Sequence, residues 1–388
     1  MNMTWMRALA LGTFVALGAP AVTTVAQEKP GEEKEQPAAP QSAKDCEAAI
    51  KKLGASLGRN PTEEQIDGFF KEAWKITGTY VKDHPEAEDL KDVYKWAGPR
   101  ASYAKNNEGF LIIAKSYLKA NADAKDAPTW RKYYIAGGLG NDTFKKEAGE
   151  ELKKIDAEAG KDAAQALLAA EIRLIDAANR SDDAAKAKVI EGIKKNEVIA
   201  KSEDVWVGRD AMRIVLTASK AEIKDGETFP CWSEAYDVKD IDGKSIKIAD
   251  FKGKVVLIDF WAVWCGPCIG EMPNVVKAYG SYHPKGFEVI GISFDTRDGE
   301  QGVRDTIAGK TAQGSRGDKT GVMPWRQIYD GGYWSAGMAK RYGVNSIPKT
   351  VLIDKDGKVV GQNLRGKALE EKLAELLGKV EETKEDSN

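Results

Sequence analysis

Cys265 and Cys268 stand three residues apart in Trp264-Cys265-Gly266-Pro267-Cys268, a spacing at which two thiols can close into a disulfide, reopen, and trade bonds with the cysteines of another polypeptide. The chemistry at stake is redox. Two blander uses of the pair are a zinc half-site and an inert structural bridge. Zinc would need further ligands, and the chain has only His84 and His283 and no second C-x-x-C, so neither a metal nor an organic cofactor is expected.

The elements around the pair suit exchange. Val255 to Trp261 is an apolar, β-branched run with one acid and predicts a buried strand, and Pro267 to about Tyr282 predicts a helix. Cys265 then sits where free backbone N–H groups and the helix dipole favour an anion, which lowers a thiol pKa from about 8.5 toward roughly 7 or below. Cys268 lies on the same helix face, within disulfide reach. Pro267 fits the first turn, where its missing N–H is not needed. Cys265, nearer the N-terminus and more exposed, is the expected attacking thiol, and Cys268, one turn deeper, the resolving one.

Further pieces accompany the pair in order: Asp242-Gly243 as a hairpin tip, Phe251-Lys252-Gly253-Lys254, the strand end Asp259-Phe260-Trp261-Ala262, and Ser346-Ile347-Pro348-Lys349-Thr350 before another strand. Together they make residues from about 223 to 378 resemble the thioredoxin superfamily, specifically its exported TlpA-like and ResA-like branch. The resemblance implies an α/β thioredoxin-like fold with an extra N-terminal hairpin, and site roles beyond the cysteines. Asp259 matches a buried acid that can take a proton from Cys268, since burial raises a carboxyl pKa. Glu271 matches an acid of the ResA-like branch, against a plain solvated acid on a helix face. Pro348, after Ile347, matches a cis-proline beside which substrate backbone pairs. Trp264, Gly266, Pro267, Ile347 and Pro348 form the expected substrate surface, with Trp261 either at its rim or in the core.

At 388 residues the chain should hold two or three domains, and 42% apolar content with a formal charge of −2 fits a soluble globular protein with no electrostatic case for nucleic acid. Arg7 followed by the apolar stretch Ala8 to Val25 and by Thr24-Val25-Ala26 predicts a signal peptide over 1–26, cut after Ala26. An uncleaved anchor is the alternative, but the stretch is short for a span and carries Gly and Pro. The mature protein is then exported, without stable membrane insertion. Outside the cytoplasm a disulfide is the default, so a reducing dithiol must be recharged by an electron donor.

Residues 27–44 read as a linker rich in Glu, Lys, Pro and Gln. From 45 to 221 the pattern is helical: about eight helices in a hairpin array or bundle, one of them starting at Asn60-Pro61-Thr62-Glu63, others near Pro85, Asn141-Asp142, Ser181 and Ser202. No fixed repeat emerges. Trp130, Tyr133 and Tyr134 are expected in its core, with a peptide-binding groove as the alternative. In residues 222–378 strands alternate with helices, a Gly- and Lys-rich loop is expected over Ala308 to Gly321, and 379–388 is a charged tail. Cys46 and Cys231 are either paired, stapling the two parts, or unpaired and buried.

The leading expectation is an extracytoplasmic thiol–disulfide oxidoreductase of the reducing kind. Its Gly-Pro between the cysteines matches thioredoxins near about −270 mV, against roughly −120 mV for strong oxidants. The resemblance implies protein disulfides as substrates and a membrane thiol–disulfide protein as electron donor. A redox-sensing interaction protein, with the helical part binding a partner, is the alternative. A thiol peroxidase fits less well, because peroxiredoxins place Thr or Ser where this chain has Ala262.

Overall fold

The run Val255–Trp261 forms β1, and every one of its residues is buried, as its unbroken apolar sequence requires. A computed structural model of the chain describes residues 39–58, 60–310 and 321–380. The expected signal peptide, most of the linker, the interior of the 308–321 loop and the tail beyond 380 lie outside the described residues. The described chain forms two compact units that divide between Val189 and Ile190.

The first unit is helical. Its helices are α1 (Ala43–Ala55), α2 (Glu63–Asp83), α3 (Leu90–Ala97), α4 (Glu108–Ala120), α5 (Ala127–Leu139), α6 (Lys145–Ala159) and α7 (Ala163–Asn179), and α8 (Asp183–Lys195) runs across the division. Thr62, not Pro61, starts α2: its hydroxyl accepts the N–H of Gln65 while the Gln65 side chain accepts the N–H of Thr62. The periodic residues Ile66, Phe69, Phe70, Ala73, Trp74, Thr77, Tyr80 and Val81 are all buried, as their spacing predicts. Helices α2 and α4 touch backbone to backbone, since a Cβ on Gly109 would stand 2.0 Å from the Trp74 carbonyl oxygen. Trp130 stacks on Tyr117 with ring centres 4.4 Å apart and on Phe110 at 5.9 Å. Trp130 and Tyr134 are core residues, whereas Tyr133 is only half-buried.

The second unit carries a five-stranded sheet of β1, β2 (Phe287–Ser293), β3 (Arg326–Tyr329), β4 (Lys349–Ile353) and β5 (Val359–Gln362), in the order β3-β2-β1-β4-β5. β1 runs parallel to β2 and antiparallel to β4. Its helices are α9 (Glu197–Ala200), α10 (Val205–Ala218), α11 (Gly266–Tyr282), α12 (Glu300–Ile307), α13 (Gly337–Arg341) and α14 (Gly366–Leu377). Helix α11 packs on α14, and α10 packs on α13. This is the expected thioredoxin-like α/β fold, with helical structure before it.

Three features differ from expectation. Helix α10, grouped by its period with the helical half, lies in the second unit, because Gly337 of α13 sits against its backbone at Arg213 and the Arg341 guanidinium donates to the carbonyls of Ser219 and Cys231. The turn at Asp242-Gly243 has a single bridge, Lys239 to Ser245, instead of a strand hairpin, and is pinned by an Arg326–Asp240 ion pair at 2.6 Å. Strand β3 has four residues of mixed polarity and no alternation to betray it, and it exists because β2 supplies a parallel neighbour.

Candidate active site

Strand β1 delivers the chain to the site and α11 receives it. Cys265 is the N-cap residue of α11, with extended backbone, and its Sγ accepts the N–H of Cys268 at 3.3 Å. The first turn of α11 holds no acid. The two sulfurs form a disulfide, with Cα atoms 5.2 Å apart. Both cysteines are buried, Cys265 5% exposed and Cys268 2%, so in the oxidised form the difference in exposure is slight. Their exposed neighbours are Trp264, Gly266 and Pro267. One turn on, Pro273 lacks the N–H that would bond the Ile269 carbonyl, which loosens the helix just behind the pair.

Asp259 lies in the middle of the sheet, opposite Gly291 on β2 and Thr350 on β4, and is 5% exposed. Burial, reinforced by the negative charge of Glu271, pushes its carboxyl up to about 7, while Arg365 acts in the opposite direction. Glu271 is half-buried and hydrogen-bonded. Its carboxylate accepts the N–H of Gly366, the first residue of α14, at 2.7 Å and the Asn274 amide at 3.0 Å, so it caps one helix from another.

The Ile347–Pro348 peptide is cis and ends where β4 begins, two strand positions from Asp259's partner Thr350. The Pro348 carbonyl accepts a hydrogen bond from Arg365 at 2.5 Å. Arg365 thus links two of these residues, acting by charge on Asp259 and donating to Pro348, while Cys265 and Cys268 follow the end of β1 at the start of α11. Trp261 is core, 0% exposed, with its indole N–H on the Gln327 side chain at 3.0 Å; Trp264, 44% exposed, is the rim residue. Cys46 and Cys231 carry free thiols, so the staple between them is not formed: Cys46 is buried in the first unit, and Cys231 Sγ lies 2.8 Å from Ser233 Oγ in the second.

Sequence reasoning missed four residues here. Asp295, buried just after β2, accepts the Val263 N–H at 3.1 Å and the Ser293 hydroxyl at 2.8 Å, fixing the loop that leads into Cys265; burial raises its carboxyl pKa. An acid at the carboxyl end of a parallel strand was the available signal. Arg365 had none beyond preceding a helix. Tyr333 and Trp334, in a Gly-rich loop, pack on Trp264 with ring centres 5.0 and 5.8 Å away.

The chain is similar to several known proteins. The AhpC/TSA family model matches residues 228–362. The thiol-disulfide oxidoreductase ResA of Bacillus thuringiensis subsp. konkukian is 39% identical over 143 residues, spanning 37% of this chain and 73% of that relative. The ResA of Bacillus subtilis is 31% identical over 145 residues, 37% of this chain and 69% of its own. Among solved structures, the thioredoxin domain of a thiol-disulfide oxidoreductase from Bacteroides vulgatus is 26% identical, covers 40% of this chain and 99% of its own, and aligns with a TM-score of 0.33. A vicinal cysteine pair at a helix start, on a thioredoxin-like sheet and in a sequence this close to its relatives, has one consequence: the chain belongs to the ResA family of thiol-disulfide oxidoreductases.

Proposed function

We propose that this protein is an exported reductant of protein disulfides that works through the Cys265/Cys268 dithiol. In the reduced enzyme the Cys265 thiolate, favoured by the N-terminus of α11, attacks one sulfur of a substrate disulfide. The substrate S–S bond breaks, its second sulfur leaves as a thiolate that takes a proton, and the first stays joined to Cys265 as a mixed disulfide. Asp259 then accepts the proton of Cys268, directly or through water, and the new thiolate attacks Cys265 Sγ. The substrate's remaining sulfur departs, and two electrons have passed to the substrate, leaving the Cys265–Cys268 disulfide.

The observation that carries this reading is the pairing of that disulfide, seated at the amino end of α11, with a buried carboxyl poised near neutrality in the strand behind it. A carboxyl that burial raises toward neutrality can both take and return a proton. Trp264, Gly266, Pro267, Ile347 and Pro348 then hold the substrate backbone, and Glu271 acts on Asp259 by charge while capping α14. Regeneration requires a second dithiol, for which a membrane thiol–disulfide protein is the natural donor outside the cytoplasm. Among the described residues no helix is long and apolar enough to cross a membrane.

Insulin reduction in the presence of dithiothreitol tests the activity. Catalysed precipitation of the insulin B chain is the expected result, and its absence would favour a redox-sensing interaction protein. The potential of the Cys265/Cys268 couple tests direction: a value near about −270 mV fits a reductant, and one near roughly −120 mV reverses the electron flow.

A further inference from the structure

Strand β3 sends a buried amide, that of Gln327, over the face of the sheet that carries Asp259. In register, Asp259 on β1 stands against Gly291 on β2, and Gly291 against Gln327 on β3. Partners in register point to one face, and so does Trp261, two residues past Asp259. Gln327 is 2% exposed, and its carboxamide lies across Gly291. An ideal Cβ on that glycine would stand 1.8 Å from Gln327 Oε1, 2.5 Å from Cδ and 2.7 Å from Nε2. Position 291 thus has room for no side chain of its own, and the Gln327 amide takes that place, roughly one strand spacing of 4.8 Å from Asp259.

The amide is anchored by its oxygen. Oε1 accepts the Trp261 indole N–H at 3.0 Å, and the backbone carbonyl of Gln327 accepts the Ile241 N–H at 2.8 Å. Its N–H groups have only the Met323 sulfur, 3.8 Å away and a weak acceptor, so a buried donor is left underused. Asp259 is the converse case. Burial and the charge of Glu271 on α11 disfavour its ionised form, Arg365 before α14 favours it, and no hydrogen bond from the described residues reaches its carboxyl. On β4 the facing Thr350 hydroxyl is committed to the Leu364 carbonyl at 3.0 Å. Cys268, whose proton Asp259 receives in the exchange cycle, is the other titratable group that α11 brings into play.

We propose that Gln327 is a positioning residue for the proton step, its amide N–H stabilising the Asp259 carboxylate that takes the proton of Cys268. The inference rests on the exchange reading above and deepens it by adding a residue from a third strand. A donor of this kind favours the ionised carboxylate more than the protonated one. Gln327 therefore keeps Asp259 in the form that can accept, while Trp261 holds the amide and Gly291 leaves it room. The proton passes from Cys268 Sγ to Asp259, and Gln327 neither gains nor loses one.

The test follows single turnovers of the intact, reduced protein with the aryl disulfide dithiobis(nitrobenzoate) from about pH 5 to 9. Attack by Cys265 releases one nitrothiobenzoate anion in a first phase. Attack by Cys268 on the mixed disulfide releases the other in a second, whose rate should rise with pH through a midpoint set by Asp259. Gln327→Met, similar in length but without N–H donors, should move that midpoint upward by roughly half a unit to one unit. Gly291→Ala, which displaces the amide without changing residue 327, should move it the same way. A first phase of full amplitude identifies a variant as folded, and either variant alone decides should the other fail to fold. A midpoint that stays at the wild-type value in the folded variants overturns the inference. Should the wild-type protein show no second phase, or should Asp259→Asn keep the wild-type rate and midpoint, the exchange reading beneath it fails instead.

Discussion

Cys46 and Cys265 both lie in the first turn or cap of a helix, yet they are opposite kinds of thiol. Cys46 is the fourth residue of α1, and its helix end is already occupied by acids: Asp89 accepts the Ala43 N–H at 2.7 Å and the Tyr80 hydroxyl at 2.5 Å, and Asp45 lies beside it in sequence. Burial first, then the charges of Asp45 and Asp89, push the Cys46 thiol up to about 12. Cys265 caps α11 with no acid in the first turn, bonds the Cys268 N–H, and leads out to exposed Gly266 and Pro267. A helix N-terminus therefore makes a reactive thiol only where its N–H groups and its dipole remain available to sulfur.

The sharpest way to break that comparison is to remove each sulfur in turn. Cys265→Ser should lower insulin reduction by roughly three orders of magnitude or more, while Cys46→Ser should leave the rate unchanged. Cys268→Ser should accumulate mixed disulfides with substrate, visible on non-reducing gels, and equal accumulation in Cys265→Ser would reverse the assigned roles. A second measurement reads the two thiols side by side. In the reduced native protein at pH 7, iodoacetamide should modify Cys265 faster than Cys46 by a few hundredfold or more, the thiolate fraction of Cys46 being tiny and its greater basicity recovering only part of the deficit. Mass spectrometry of timed quenches would decide it, and comparable rates would end the distinction.

Asp259 offers a sharper contrast, because burial raises its carboxyl pKa as it raises the Cys46 thiol, but here near a working pH. Asp259→Asn should slow Cys268 resolution about a hundredfold near pH 7, and a rate unchanged from pH 6 to 9 would remove its proton role. The same variant should be more stable. A carboxyl raised on folding stabilises the native state below its unfolded value near 4 and loses that contribution as pH climbs through about 7. Oxidised Asp259→Asn should therefore exceed wild type at pH 8 by up to about 4 kcal/mol and differ little at pH 4, as read by denaturant titration. The smallest effect belongs to Asp45→Asn. Removing one of the two charges above Cys46 should speed its alkylation by less than about tenfold, since burial remains the main cause.

Much of the exchange site was legible because its signals are local. The apolar run 255–261 leaves no element but a buried strand, the i, i+3 cysteines behind a proline-bearing helix start fix their own proximity, and Asp259 stands out as the one acid in that run. Glu271 was legible as a residue but not as a cap, because the N–H it accepts belongs to Gly366, ninety-five positions away. Strand β3 was missed for the same kind of reason, having too few residues to carry a period. Helix α10 has a helix period whichever unit it joins, and nothing in that period says that Gly337 will seat against Arg213.

The sequence by itself determined the chemistry available, a dithiol at the head of a helix behind a strand with one acid, because those features follow from neighbours within a few residues. Only the tertiary structure decided which charges act on that acid, which aromatic rings stand beside Trp264, and why the Cys46 thiol pKa is raised. Each depends on groups brought together from distant parts of the chain: Glu271 and Arg365 on Asp259, Tyr333 and Trp334 on Trp264, Asp89 at the start of α1. Electrostatic and packing energies fall off over a few ångströms of space, and separation along the chain does not measure that distance.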